Sequence, residues 1–196
     1  MRSLIRPALA LLVIFTVLTG FVYPLLITGI AQAAFPQAAS GSVVMRGGKP
    51  IGSSLIGQNF SHPKYFWGRL SATTPQPYAG TASTGSNLGP LNPALTDAVK
   101  ARIQVLHAAD PDNAAAVPVD LVTASASGLD PEISIAAAFY QASRVARVRG
   151  LDVIQVRQLV AAHSQHRLLG VFGEPRVNVL ALNLALDGLA PATGRR

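Results

Sequence analysis

No Asp, Glu, Lys or Arg occurs between Pro7 and Met45, and this gap constrains the chain more than any other feature. Its centre, Ala8 to Ile30, is built from Leu, Val, Ile, Phe and Ala, interrupted only by Thr, Gly20, Gly29, Tyr23 and Pro24. As a helix rising about 1.5 Å per residue it would be about 34 Å long, enough to cross a hydrocarbon core of about 30 Å. Arg2 and Arg6 precede it, so the positive-inside tendency places the N-terminus in the cytoplasm and the rest of the chain outside. Pro24 should kink the outer part of the helix, and Tyr23 suits an interfacial position. The expected anchor face includes Ala8, Leu12, Phe15, Gly20, Tyr23, Leu26 and Ile30; Gly20, Thr19 and Thr16 offer small or polar faces for helix contact in lipid. A second reading stays open: two Arg, an apolar run and Ala31-Gln32-Ala33 also describe a cleaved secretory signal, although the run exceeds the usual signal core. Both readings export the body of the protein.

The remaining organisation follows from local signals. The segments expected are a short cytoplasmic N-terminus (1–7), the membrane helix (8–30), a spacer (31–48), an α+β domain (49–190) and a tail (191–196). A first strand is expected around Ser42–Met45. Ile51 to Pro93 is dense in Gly, Pro, Ser, Thr and Asn, hence loops and short strands. Asn92-Pro93 opens a helix to about His107, with Leu95, Val99, Ile103 and Leu106 as its apolar stripe. Asp110-Pro111-Asp112 breaks it, and Val117–Thr123 reads as a β segment. Asp130-Pro131 signals a helix from Glu132 to about Arg149, stopped by Gly150. Asp152 caps the next, to about His163. Val177 to Leu186 fits either a helix or a strand.

Constellations that carry catalysis are sparse. The chain has 0 Cys, which removes disulfides, thiolate ligands and cysteine nucleophiles. Phosphate-binding glycine loops, H-E-x-x-H and G-x-S-x-G do not occur. His163 and His166 could share a metal only with further ligands that nothing nearby supplies. Asp110, Asp112 and Asn113 lack the Gly and distal Glu of a calcium loop and read as a turn. Arg144, Arg147 and Arg149 read as a solvated helix end or as a docking surface for an acidic partner or lipid headgroups. The balance of 16 basic to 9 acidic residues, net +7, would suit nucleic acid, but an exported, tethered domain makes that a poor candidate. An exported enzyme would need Ser83, Ser127 or His62 as its catalytic group, and a released periplasmic binding protein would follow from cleavage at Ala33.

Four blocks are too particular to be filler. They are Gly52-Ser53-Ser54-Leu55-Ile56-Gly57-Gln58-Asn59-Phe60 with Pro63-Lys64-Tyr65-Phe66 and Arg69-Leu70-Ser71-Ala72; Gly85-Ser86-Asn87-Leu88-Gly89-Pro90; Asp120 to Pro131 continuing through Ile133-Ser134 and Arg144-Val145-Ala146; and Gly173-Glu174-Pro175-Arg176-Val177-Asn178-Val179 with Leu182-Asn183-Leu184-Ala185-Leu186-Asp187. In order and spacing the chain resembles the C subunit (KdpC) family of the Kdp potassium-transporting ATPase. Departures fall at Leu70, Ala126 and Glu132, where the family commonly carries Pro, Gly and His or another polar residue.

The resemblance implies a non-hydrolysing accessory subunit of a bacterial potassium importer in the inner membrane. Its partners would be a channel-like A subunit, a P-type ATPase B subunit that uses ATP and Mg, and a small F subunit. The cofactors would be the partner's, with potassium as the transported ion and no metal or catalytic residue in this chain. The family is described as needed for assembly and as a catalytic chaperone that raises ATP affinity, an idea attached to a Gln on the helix that here carries Gln141. An outward domain cannot touch cytoplasmic ATP, so Gln141 and Arg144 are candidates only for indirect coupling. The aromatic strip Tyr65-Phe66-Trp67 and the loop with Ser83, Gly85, Ser86, Asn87 and Gly89 are the candidates for docking near the outer mouth of the potassium path.

Overall fold

The computed structural model describes residues 2–189 and divides into two compact units, Met1–Ile51 and Gly52–Arg196. The expected tail 191–196, with Met1 and residue 190, lies outside the described residues.

In the first unit, α1 (Arg2–Val17), a π-helical turn (Leu18–Val22) and α2 (Tyr23–Ala34) run on as one helix. Its 31 residues from Leu4 to Ala34 are long and apolar enough to cross a membrane, extending beyond the expected 8–30 at both ends. Ala8, Leu12, Phe15, Gly20, Tyr23, Leu26 and Ile30 are all exposed along it. The Pro24 disturbance takes the form of the π turn. Proline has no N–H to give the carbonyl of Gly20, and the Tyr23 N–H reaches back five residues to the carbonyl of Leu18. The Thr19 hydroxyl donates to the Phe15 carbonyl at 2.6 Å. Ala31-Gln32-Ala33 forms the last turn of α2. After α3 (Pro36–Ala39), β1 (Val43–Arg46) and β2 (Lys49–Ser53) make a two-stranded hairpin. Gly47 and Gly48 link them at φ +57° and +76°, the left-handed pair that a tight hairpin turn requires.

The second unit carries α4 (Pro93–Ala109), β3 (Glu132–Ser134), α5 (Ile135–Arg149), α6 (Val153–Ala162), β4 (Ser164–Gln165), β5 (Arg176–Asn178) and α7 (Val179–Leu186). The strands form an antiparallel sheet in the order β3-β5-β4, with Ile133 opposite Val177 and Ser164 also opposite Val177. Its core gathers Ala137, Ala142 and Val145 of α5, Val156 and Val160 of α6, Leu182 and Leu186 of α7, Leu106 of α4, and Phe66, Trp67 and Leu121 from irregular segments. The fold is therefore mixed α and β. Asn92, Asp152 and Gly150 act as expected: both caps accept from a first-turn N–H, and Gly150 ends α5 at φ +64°.

Three expectations are corrected. Val117–Thr123 is not a strand but contains a 3₁₀ turn at Val119–Leu121. Leu121 and Val122 are both buried, whereas a strand sends successive side chains to opposite faces. The α5 helix does not begin at Glu132: Asp130 accepts from the Glu132 N–H and pairs with Arg69, while Ser134 supplies the cap by accepting from Ala137 N–H. That frees Glu132–Ser134 to pair with β5. Finally, Val177–Leu186 is both things in succession, a strand end and then a helix capped by Asn178.

Candidate functional site

The residues singled out from the sequence separate into a buried clamp and an exposed loop. In the clamp, the segment Pro63–Trp67, a turn that runs into an irregular stretch, lies against α5 and α7 and is held by side chains rather than by a partner strand. Asn183 accepts from the Phe66 N–H at 2.9 Å and donates to the Phe66 carbonyl at 3.0 Å. One residue on, Gln141 accepts from the Trp67 N–H at 2.8 Å and donates to the Trp67 carbonyl at 3.1 Å. Each amide thus stands in for the neighbouring backbone of a sheet. The three carbonyls before Phe66 are taken by arginines. Arg144 donates to those of Pro63 and Tyr65, and Arg149 to that of Lys64 at 2.7 Å. Arg149 also pairs with Asp187 at 2.7 Å.

This arrangement corrects the reading of Phe66 and Trp67 as docking residues: they are 0% and 4% exposed, and only Tyr65 of the strip reaches the surface. Of Arg144, Arg147 and Arg149, read as a solvated helix end or docking surface, only Arg147 is exposed, its side chain at 48%; the reading is corrected for Arg144 and Arg149. Arg144 is 2% exposed, lies 4.5 Å from the Trp67 ring centroid and donates to Gln141 Oε1 at 2.7 Å. Burial pulls its guanidinium pKa down to about 10, against the opposing pull of Asp110. Arg147 pairs at 2.8 Å with Asp110, which is itself buried and also bonded by Asn113. Gln141 is 1% exposed and fully engaged, so nothing outside the domain can reach it.

The glycine-rich loop is elsewhere. Ser83 Oγ and the Thr84 N–H both donate to the Ser127 carbonyl at 3.0 Å. A Cβ on Gly85 would sit 2.8 Å from the Ala126 carbonyl oxygen, so glycine is needed there for close approach. Beyond this pinned start, Ser86, Asn87 and Gly89 are exposed and Asn87 is left-handed at φ +52°. The other polar candidates serve local structure: Ser127 Oγ accepts from Leu129 N–H, His62 Nδ1 accepts from Lys64 N–H, and His163 Nδ1 contacts the Leu159 carbonyl at 3.0 Å.

One surface was missed. After β4 the chain forms a tight hairpin in which Leu168 and Phe172 exchange backbone hydrogen bonds of 2.9 Å. Leu168, Leu169, Val171 and Phe172 are between 64% and 83% exposed, and Leu169 adopts φ +54°, a conformation that costs a leucine free energy. The run Leu-Leu-Gly-Val-Phe, placed between two charged residues (Arg167 and Glu174) that pair at 2.7 Å, was the available signal.

With that geometry in place, known proteins supply a context. A family model described as KdpC, K+-transporting ATPase, c chain, matches residues 5–188. The potassium-transporting ATPase KdpC subunit of Variovorax paradoxus is 68% identical over 192 residues, covering 98% of this chain and 100% of that protein. The corresponding subunit of Polaromonas naphthalenivorans is 66% identical over 97% of each chain. That of Sorangium cellulosum is 65% identical over 96% of this chain and 99% of its own.

Proposed function

Because the chain belongs to the KdpC family, the c chains of K+-transporting ATPases, we propose that it is the accessory, non-hydrolysing subunit of its complex and acts on ATP use only indirectly. It is a component of a potassium-transport complex, and the family match over residues 5–188 carries that reading. In the proposal a single helix in the inner membrane leaves the N-terminus in the cytoplasm and the globular unit outside. Arg2 and Arg6 lie in the first turns of the helix, while the next charge along the chain, Arg46, comes only at the close of β1. The globular unit then docks near the outer mouth of the channel-like A subunit. Its contact surfaces are the exposed part of the Ser83–Gly89 loop and the apolar tip Leu168–Phe172. Assembly with the A, B and F subunits raises the ATP affinity of the hydrolysing B subunit through coupled helices.

What supports an indirect route is the fate of Gln141 and Arg144. Every polar group of Gln141 is spent on Trp67, Ala137 and Arg144. A change on α5 can therefore reach a partner only through the packing of the domain.

The experiment is labelling of Ser83→Cys, a single thiol in a chain with 0 Cys, at an exposed position. Labelling of intact cells by a membrane-impermeant reagent is expected. Labelling only after lysis would sink the orientation and make direct assistance to ATP binding the leading idea.

A further inference from the structure

Beside the clamp lies a hollow of about 150 Å³ that neither the packing nor the transport role uses. At about 30 Å³ per water it has room for about five waters. The first of the four distinctive sequence blocks supplies much of its wall, and α4 closes it with Arg102 and Val105.

Arg102 is the telling residue. Its Nε donates to the Leu121 carbonyl at 3.1 Å and one terminal nitrogen to the Gly68 carbonyl at 3.4 Å. Its guanidinium carbon lies 5.2 Å from the Trp67 ring centroid. Three contacts fix the group, none is a carboxylate, and Nη1 has no acceptor among the described residues. Arg144 stacks on the same indole, so Trp67 carries two cations. Burial lowers the pKa of Arg102, and Tyr78 only partly offsets this. Arg69, also on the wall, spends its terminal nitrogens on Asp130 and the Ala124 carbonyl, and its Nε is enclosed without a partner. Of the two arginines on the wall, Arg69 has Asp130 and Arg102 has no carboxylate within hydrogen-bond reach among the described residues.

The wall is also built at a cost. Tyr78 is held left-handed at φ +59°, its hydroxyl donating 2.6 Å to the Arg69 carbonyl. A Cβ on Gly57 or Gly68 would come within 2.3 or 2.8 Å of that side chain. A half-desolvated, immobilised guanidinium without an acid favours an oxyanion. The rest of the lining is mixed: Phe60, Leu70, Pro77 and Val105 offer apolar contact for a short hydrocarbon body, beside the polar Gln58, Asn59, Ser61 and Ser71.

We propose that the hollow lined by Trp67, Arg69, Tyr78 and Arg102 binds a small organic carboxylate, either free in solution or borne by an acidic side chain of a neighbouring subunit. The site stands independently of the transport reading.

The test uses the full chain in detergent micelles, melted in sodium propionate and in sodium chloride of equal ionic strength, with propionate binding followed by calorimetry. Saturable binding and a higher Tm in propionate are expected, with affinity reduced roughly tenfold or more in Arg102→Gln. Val105→Glu keeps the test valid if Arg102→Gln fails to fold. It hangs a carboxylate at the edge of the hollow and should remove the propionate response, while Val105→Gln retains it. Equal melting in the two salts overturns the proposal, as does a response that survives in Val105→Glu. Stabilisation by phosphate without propionate overturns the carboxylate assignment. Propionate binding that persists in the assembled complex identifies a free ligand; binding by the lone chain that is lost on assembly identifies a neighbour's acidic side chain.

Discussion

Pro63–Trp67 and Leu168–Phe172 are both short, irregular and rich in large apolar side chains, yet they treat them in opposite ways. The first buries Phe66 and Trp67 completely and receives its hydrogen bonds from other elements, through Gln141, Asn183, Arg144 and Arg149. The second closes on itself through Leu168 and Phe172 and leaves its apolar side chains in solvent. A segment tied to the core by four residues contributes to stability and cannot also be a contact surface. A hairpin satisfied by its own backbone can present apolar area at little expense to the fold.

Phe66→Ala should have the largest effect, a loss of about 4 kcal/mol in denaturant unfolding of the full chain, because a fully buried aromatic ring leaves a cavity between α5 and α7. A loss near that of a surface residue would break the contrast at its centre. Gln141→Leu, similar in volume but without the amide, strands the buried N–H and carbonyl of Trp67 and should cost about 3 kcal/mol. If stability were unchanged while the KM for ATP of the assembled complex rose, Gln141 would have a functional part beyond the clamp.

Tyr78→Phe removes one hydroxyl bond to the Arg69 carbonyl, worth about 1 kcal/mol. Burial, aided by Asp130 and opposed by Arg102 and Arg69, raises the folded pKa of Tyr78 above 10.0. Stability tied to its protonated form is complete below pH 10 and is lost as pH rises through the folded value. The alkaline fall in stability should therefore be shallower in Tyr78→Phe than in the parent, a difference in which the opposite contribution of Arg144 cancels. Paired Leu168→Ser and Phe172→Ser should be smallest in stability, within about 0.5 kcal/mol. They should nevertheless weaken co-purification with the other transporter subunits. A large loss of stability from this pair would erase the difference between the two regions.

Much of the secondary structure was legible because its signals are local. Asn92-Pro93, Asp152 and Gly150 mark helix ends by chemistry acting within one turn. The misread stretches are those in which a distant residue competes for a local cap. Asp130 resembles a helix start, but Arg69 takes its carboxylate, and β5 then claims Glu132–Ser134 as a strand. Of the candidate site, Ser86, Asn87 and Gly89 lie on the surface as expected. Tyr65-Phe66-Trp67 and Gln141-Arg144 stand out in the sequence as two separate groups, and only folding joins them in one clamp.

The sequence by itself determined the apolar helix, the mixed α and β character and the family, because composition, periodicity and motif order are properties of the chain read in line. Only the tertiary structure decided that Gln141 and Asn183 complete the backbone of Trp67 and Phe66 respectively, and that Arg102 has no carboxylate partner among the described residues. Those partners lie 74 and 117 residues apart in the sequence. Whether an arginine or an amide faces water, a carboxylate or a peptide carbonyl depends on which segments packing brings together, since burial sets the cost of leaving any of them unpaired.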